Sequence, residues 1–132
     1  MKATTKEWLD FAEADLMNCE LIMNVEFLTN IVAFHSQQAV EKTFKSYFEE
    51  NEMTIPRVHN LQRLYAIIIQ TASIEFDIKE LALLDNVYTS SRYPGEIGIL
   101  ETGKPSIQEA KELFDSAKRI CFAIRKYIES KQ

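Results

Sequence analysis

The chain has 132 residues, 46% of them hydrophobic and 27% charged, the balance of an ordinary globular protein. Its mass of 15.3 kDa corresponds to one domain, large enough for a hydrophobic core without metal or disulfide staples. Three glycines and three prolines are too few for the frequent turns of an all-β sandwich or barrel. The net charge of −5 excludes a general nucleic-acid coat, which needs a broad cationic surface, but is compatible with a local basic pocket.

Residues 1–132 are therefore read as a single helical domain. The longest nearly apolar run, Tyr65 to Ile69, is far too short to cross a bilayer. No signal-peptide core follows Met1-Lys2-Ala3, so the expected compartment is the cytoplasm, without membrane contact. Cys19 and Cys121 fall on predicted buried helix faces and read as reduced core thiols. No Cys-x-x-Cys or ligand-spaced His occurs, so neither a metal nor any other resident cofactor is expected.

The first predicted helix runs from about Thr5 to Asn24, with Thr4 and Glu7 at capping-box spacing. Trp8, Phe11, Ala12, Cys19, Ile22 and Met23 recur at three- and four-residue steps and form its core-facing stripe. Asp15 lies inside that stripe. It sits either at the stripe's margin or as an internal carboxylate facing a cation on another helix, because buried carboxylates are rare unless paired.

The second helix spans about Asn30 to Glu50. Val32, Ala33, Val40, Phe44, Tyr47 and Phe48 form a broad apolar side, and His35, Gln38, Lys42 and Lys45 line the opposite one. Ser36 and Gln37 fall on the apolar side, where Gln37 must find hydrogen-bond partners or cost about 1–3 kcal/mol. Ile31, Phe34 and His35 form an exposed-side ladder available for a dimer contact.

A connector from Asn51 to Val58 contains Pro56. His59-Asn60-Leu61 then opens a short helix to about Thr71, capped by Asn60 or His59, of which Asn is the better cap. Asp77 and Glu80 start a fourth helix that ends near Ser91. The stretch Arg92 to Pro105 holds all three glycines and two of the three prolines, a connection of a length that is usually functional or mobile. Ser106 and Glu109 give a second capping box, followed by Ile107, Ala110, Phe114, Ala117, Cys121, Ile124 and Ile128, a lengthwise packing stripe. The expected architecture is all-α, an antiparallel up-down bundle of four to five helices.

Most catalytic parts are missing. No phosphate-binding glycine loop, nucleophile elbow, Glu-x-x-His pair or Asp-x-Asp metal pair occurs. What remains is Trp8-x3-Ala12-x2-Asp15-Leu16, Ala33-Phe34-His35-Ser36-Gln37-Gln38-Ala39-Val40-Glu41-Lys42, Pro56-x2-His59-Asn60-Leu61 and Ser91-Arg92-Tyr93-Pro94. In order and spacing this set resembles the HEPN family over nearly the whole chain, most specifically from His35 to Lys42.

The resemblance implies a helical bundle, commonly a homodimer, linked to nucleotides or RNA. Many such proteins work with a separate minimal nucleotidyltransferase, some in toxin–antitoxin-like pairs. Others are metal-independent ribonuclease toxins with an Arg four to six residues before a His. This sequence departs from that motif: its histidines are His35 and His59, Arg57 precedes His59 by two residues, and no Arg precedes His35.

The candidate nucleotide or anion site comprises His35, Gln38, Lys42, Arg92 and Tyr93, supported by Asp15, Gln37, Glu41 and His59. Lys42 offers phosphate a point charge, Arg92 a fork and Tyr93 a stacking face, with ATP as the representative ligand. Structural readings stand beside these. Arg92-Tyr93-Pro94 is a helix terminus with a dipole-complementing Arg, Arg92 is a partner for Asp15 in the ligand-free state, and His59 is a cap. The expected function is a non-catalytic nucleotide- or RNA-associated partner of a nucleotidyltransferase. The alternatives are a ribonuclease toxin with an atypical site and a structural dimerising adaptor.

Overall fold

The computed structural model describes residues 1–92 and 104–132, with side chains for 1–87 and 104–132. Five α-helices occur among them: α1 (Ala3–Ile22), α2 (Thr29–Glu50), α3 (Leu61–Ile68), α4 (Ile78–Arg92) and α5 (Ile107–Ser130). A single 3-10 turn, Glu26–Leu28, leads into α2. The all-α class is as expected.

The centre of the fold is α2, which packs against α1, α3, α4 and α5. Its 22 residues rise through roughly 33 Å. It is buried on nearly every side, and this corrects the two-faced reading of its sequence. Lys45 is buried among the other helices, and its ammonium donates to Glu41 Oε2 at 2.9 Å. His35, Gln38 and Lys42 are half-buried rather than solvent-facing, as are Ile31 and Phe34 of the supposed exposed ladder. The sequence pattern misled because neighbouring helices cover the polar stripe too. The small side chains of Ala33, Ser36 and Ala39, all buried, let those helices approach closely.

α1 runs antiparallel to α2. Thr5 Oγ1 reaches Glu50 at one end, 2.9 Å, and Cys19 Sγ meets Val32 O at the other, 3.5 Å. α5 runs in the same direction as α2, with Thr43 donating to Cys121 at 3.2 Å and Gln132 to Glu50 at 2.8 Å. Both thiols are buried and free. The shared core includes Val32, Val40, Phe44, Phe48, Leu61, Leu64, Ile68, Leu81, Leu84, Ile120 and Ile124.

The α1 stripe is Leu9, Ala12, Leu16 and Cys19, with Thr5 and Asp15 also buried. Phe11 is not part of it but 63% exposed, and Trp8 is half-buried. The expected Thr4–Glu7 capping box is absent as well: α1 starts at Ala3 behind Lys2 without a side-chain cap, because the Thr4 hydroxyl donates to Glu49 at 2.6 Å. At α5 the box forms as expected, Ser106 and Glu109 each accepting the other's backbone N–H.

Asn60 caps α3, accepting from Arg63 N at 2.9 Å. His59 does not cap it; its ring lies on Glu41 instead. No helix among the described residues is long and apolar enough to cross a membrane.

Candidate functional site

Asp15 is an internal carboxylate facing a cation on another helix, Lys42, the sharper of its two sequence readings. It projects from the buried side of α1 onto α2 and is 7% exposed. His35 Nδ1 lies 2.8 Å from Oδ1, and Lys42 Nζ lies 2.7 Å from Oδ2. The spacing explains the arrangement, since residues seven apart fall two turns along one face of a helix. One carboxylate bridges that gap by offering an oxygen to each.

Both donors retain about a quarter of their side-chain surface, 25% each. Asp15 thus neutralises one ammonium charge while leaving imidazole and ammonium at the rim of the α1–α2 groove. With Nδ1 facing a carboxylate, the ring proton sits there and Nε2 is the second nitrogen, able to accept when the ring is neutral.

A second polar cluster is built around Glu41, which is 5% exposed. Lys45 and His59 Nδ1 meet its Oε2 at 2.9 and 3.0 Å. Gln38 donates to Gln37 Oε1 at 2.9 Å and more weakly to Glu41 at 3.3 Å. Gln37, fully buried, spends its own amide on His59 O at 2.8 Å, satisfying the partner requirement set by its burial. Glu41, Gln37 and His59 therefore tie the connector before α3 to α2. Gln38 stands between the two clusters.

The structure gathers Asp15, His35 and Lys42 into one group, and Gln37, Gln38, Glu41 and His59 into the next. The side chain of Arg92 and all of Tyr93 lie outside the described residues, as does the 93–103 stretch of the glycine-bearing segment. Among the described residues, the two Asp15 oxygens are engaged by His35 and Lys42; the expected Arg92 partnership lies outside the described residues.

Sequence reasoning missed Asp85. This α4 carboxylate accepts Leu61 N at 2.8 Å and Gln62 N at 3.2 Å, holding the free N–H groups at the start of α3. Burial pushes its pKa above the usual carboxylate range, against the lowering pull of those N–H groups. The signal was a lone acid on an apolar helix face, too common a pattern to single out.

Chemically, the Asp15 group offers an incoming anion the remaining N–H groups of the Lys42 ammonium, beside an imidazole whose Nε2 donates only when the ring is protonated, with a negative charge beneath both. Among the described residues, no cluster of three or more His, Cys, Asp or Glu is arranged to hold a metal ion. The thiols are unsuited to nucleophilic work, as burial raises Cys19 to about 11 and Cys121 to about 12.

Residues 5–127 match the model of the HEPN domain. The chain belongs to the HEPN domain family. Two solved structures resemble this HEPN chain along its length. A protein from Thermus thermophilus superposes with a TM-score of 0.80 at 22% identity, covering 99% of this chain and 100% of its own. An archaeal HEPN homologue superposes with a TM-score of 0.73 at 26% identity, covering 97% and 99%. No curated protein matches the HEPN chain in sequence.

Proposed function

We propose that this HEPN protein is a non-catalytic, nucleotide-associated subunit that works with a separate minimal nucleotidyltransferase in the cytoplasm, in a toxin–antitoxin-like pair. One observation carries the reading. Asp15 holds His35 and Lys42 side by side at 2.8 and 2.7 Å on a half-open groove; the Lys42 ammonium keeps N–H groups for phosphate oxygens, and His35 adds an Nε2–H donor in its protonated form. Gln38, one turn from each, adds its amide carbonyl as an acceptor, its NH2 being held by Gln37 and Glu41.

Because Asp15 cancels the charge of Lys42, the donors supply directed hydrogen bonds more than net attraction. Affinity for a nucleotide such as ATP is then modest, on the order of 10–100 μM, or about 5.5–7 kcal/mol. Calorimetric titration of ATP tests this. Binding should appear in the wild type and disappear in Lys42→Ala and in Arg92→Ala with helix content unchanged. No heat and no melting shift at millimolar ATP would leave the group as a purely structural or dimer-contact cluster, and the adaptor reading would take precedence.

The ribonuclease alternative is favoured by one specific feature. The Asp15–Nδ1 contact at 2.8 Å is the orientation of an imidazole prepared as a general base. Against it stands the missing Arg-x4–6-His motif. RNA cleavage by purified protein that vanishes in His35→Ala would reverse the choice.

We also propose a homodimer. The most exposed apolar side chains near the end of α1 are Leu21 and Phe27, each 82% exposed, with Met17 and Val25 also exposed, and they offer surface for it. Sedimentation at micromolar concentration should give about twice the 15.3 kDa chain mass; a monomer throughout would refute it.

A further inference from the structure

Further along the α1–α2 groove, Thr4, Glu7, Trp8, Phe11 and Glu49 surround a cavity of about 270 Å³. Trp8 lies two turns before Asp15 on α1, and Glu49 lies two turns after Lys42 on α2. The cavity is therefore about 10 Å from the Asp15 group along the same groove.

Phe11 is 63% exposed and contributes little to the core. Exposed apolar surface with a polar rim is the mark of a recognition site. Here the rim carries two carboxylates, and ring faces are themselves negative. Rings and carboxylates favour the same guest, a cation, and oppose an anion.

The local ion pairs agree. Lys2 already approaches Glu49 Oε1 at 3.7 Å and donates to the Glu49 carbonyl at 3.1 Å. Among the described residues, both side-chain contacts of Glu49, from Lys2 and Thr4, go to the same oxygen, Oε1. Lys6 is committed to Asp10 at 3.2 Å. Glu7 forms no ion pair among the described residues. The pocket thus has more carboxylate than its neighbours neutralise, on a chain whose net charge is already −5.

We propose that this pocket receives an arginine side chain from a basic segment of a partner protein. A guanidinium stacks on an aromatic face and presents parallel N–H groups to a carboxylate, which an ammonium cannot do. A partner anchored there sits about 10 Å from the Asp15 group along the α1–α2 groove. The inference does not depend on nucleotide binding and survives if that reading fails.

Trp8 is the sole tryptophan, so its fluorescence reports the pocket directly. An acetylated, amidated triarginine peptide should give a saturable change in Trp8 emission at submillimolar to millimolar concentration. The response should weaken at least fivefold between 50 and 500 mM salt, and at least fivefold in Glu7→Gln, an exposed position that leaves folding intact. Phe11→Ala should weaken it as well. The matching tricitrulline peptide, which keeps the shape and loses the charge, should give none. An equal response to tricitrulline, an unchanged response in Glu7→Gln, or no saturable change up to 10 mM triarginine overturns the proposal. So does wild-type Trp8 emission that varies with protein concentration alone and ignores the peptide, since a second copy then fills the pocket.

Discussion

Lys42 on α2 donates to Asp15 on α1 at 2.7 Å, and that carboxylate is 7% exposed. A carboxylate so far from water depends on its partners, and removing one partner costs more than replacing both. Asp15→Ala should lower unfolding stability by about 1–3 kcal/mol, because Lys42 and His35 lose one shared acceptor. The double variant Asp15→Leu/Lys42→Met should recover part of that loss. Urea unfolding of Asp15→Leu, Lys42→Met and the double variant closes a double-mutant cycle that measures the coupling.

The capping role of Asp85 predicts a loss confined to one helix. Asp85→Ala leaves Leu61 N and Gln62 N without their acceptor at the buried start of α3, at a cost of about 2 kcal/mol. Hydrogen exchange should accelerate first at Leu61 to Leu64. Asp85→Asn keeps one acceptor oxygen and should cost less. Since burial holds the pKa of Asp85 high, its ionisation opposes folding. The wild type should therefore lose stability relative to Asp85→Asn as pH rises through that raised value.

Glu50 has the opposite sign. The N–H of Lys2, the amide of Gln132 and the hydroxyl of Thr5 all donate to it, at 3.0, 2.8 and 2.9 Å, and they lower it from 4.5 to about 2. A carboxyl held low in the folded state contributes fully above its unfolded value and loses that contribution as pH falls through the folded one. Glu50→Gln should be less stable than wild type at neutral pH, and the difference should shrink between about pH 5 and pH 2. Thermal melts across that range read it directly.

The thiols give a chemical test of packing. With Cys19 raised to about 11 and Cys121 to about 12 by burial, neither presents thiolate at pH 8. Both should resist an aromatic disulfide reagent in native buffer and react within minutes in denaturing urea. Prompt native labelling of Cys121 would mean that α1 and α5 separate readily.

Much of this fold was legible in the sequence because helical periodicity and caps are local signals. Ser106–Glu109 and Asn60 formed the caps that their spacing implied. Thr4–Glu7 did not, since a tertiary acceptor, Glu49, took the hydroxyl. Lys45 reads as part of a solvated polar stripe, yet it is buried, because periodicity cannot say how many neighbours a helix has. Of the candidate residues, Asp15, His35 and Lys42 come together in one group, and the reading of Asp15 as facing a cation holds. That one carboxylate would serve both His35 and Lys42 required the relative rotation of α1 and α2, which no single-helix pattern encodes.

The enclosure of α2 has a consequence for how the molecule opens. Every other helix rests on it, so no part can detach without exposing α2 side chains, and no peripheral unit has a core of its own to stay folded on. The amide protons from Ala39 to Phe48, in a stretch where all but Lys42 are buried, should then exchange with solvent only through complete unfolding. Their protection would measure the stability of the entire molecule, while the ends of α1 and α5 would exchange through fraying alone.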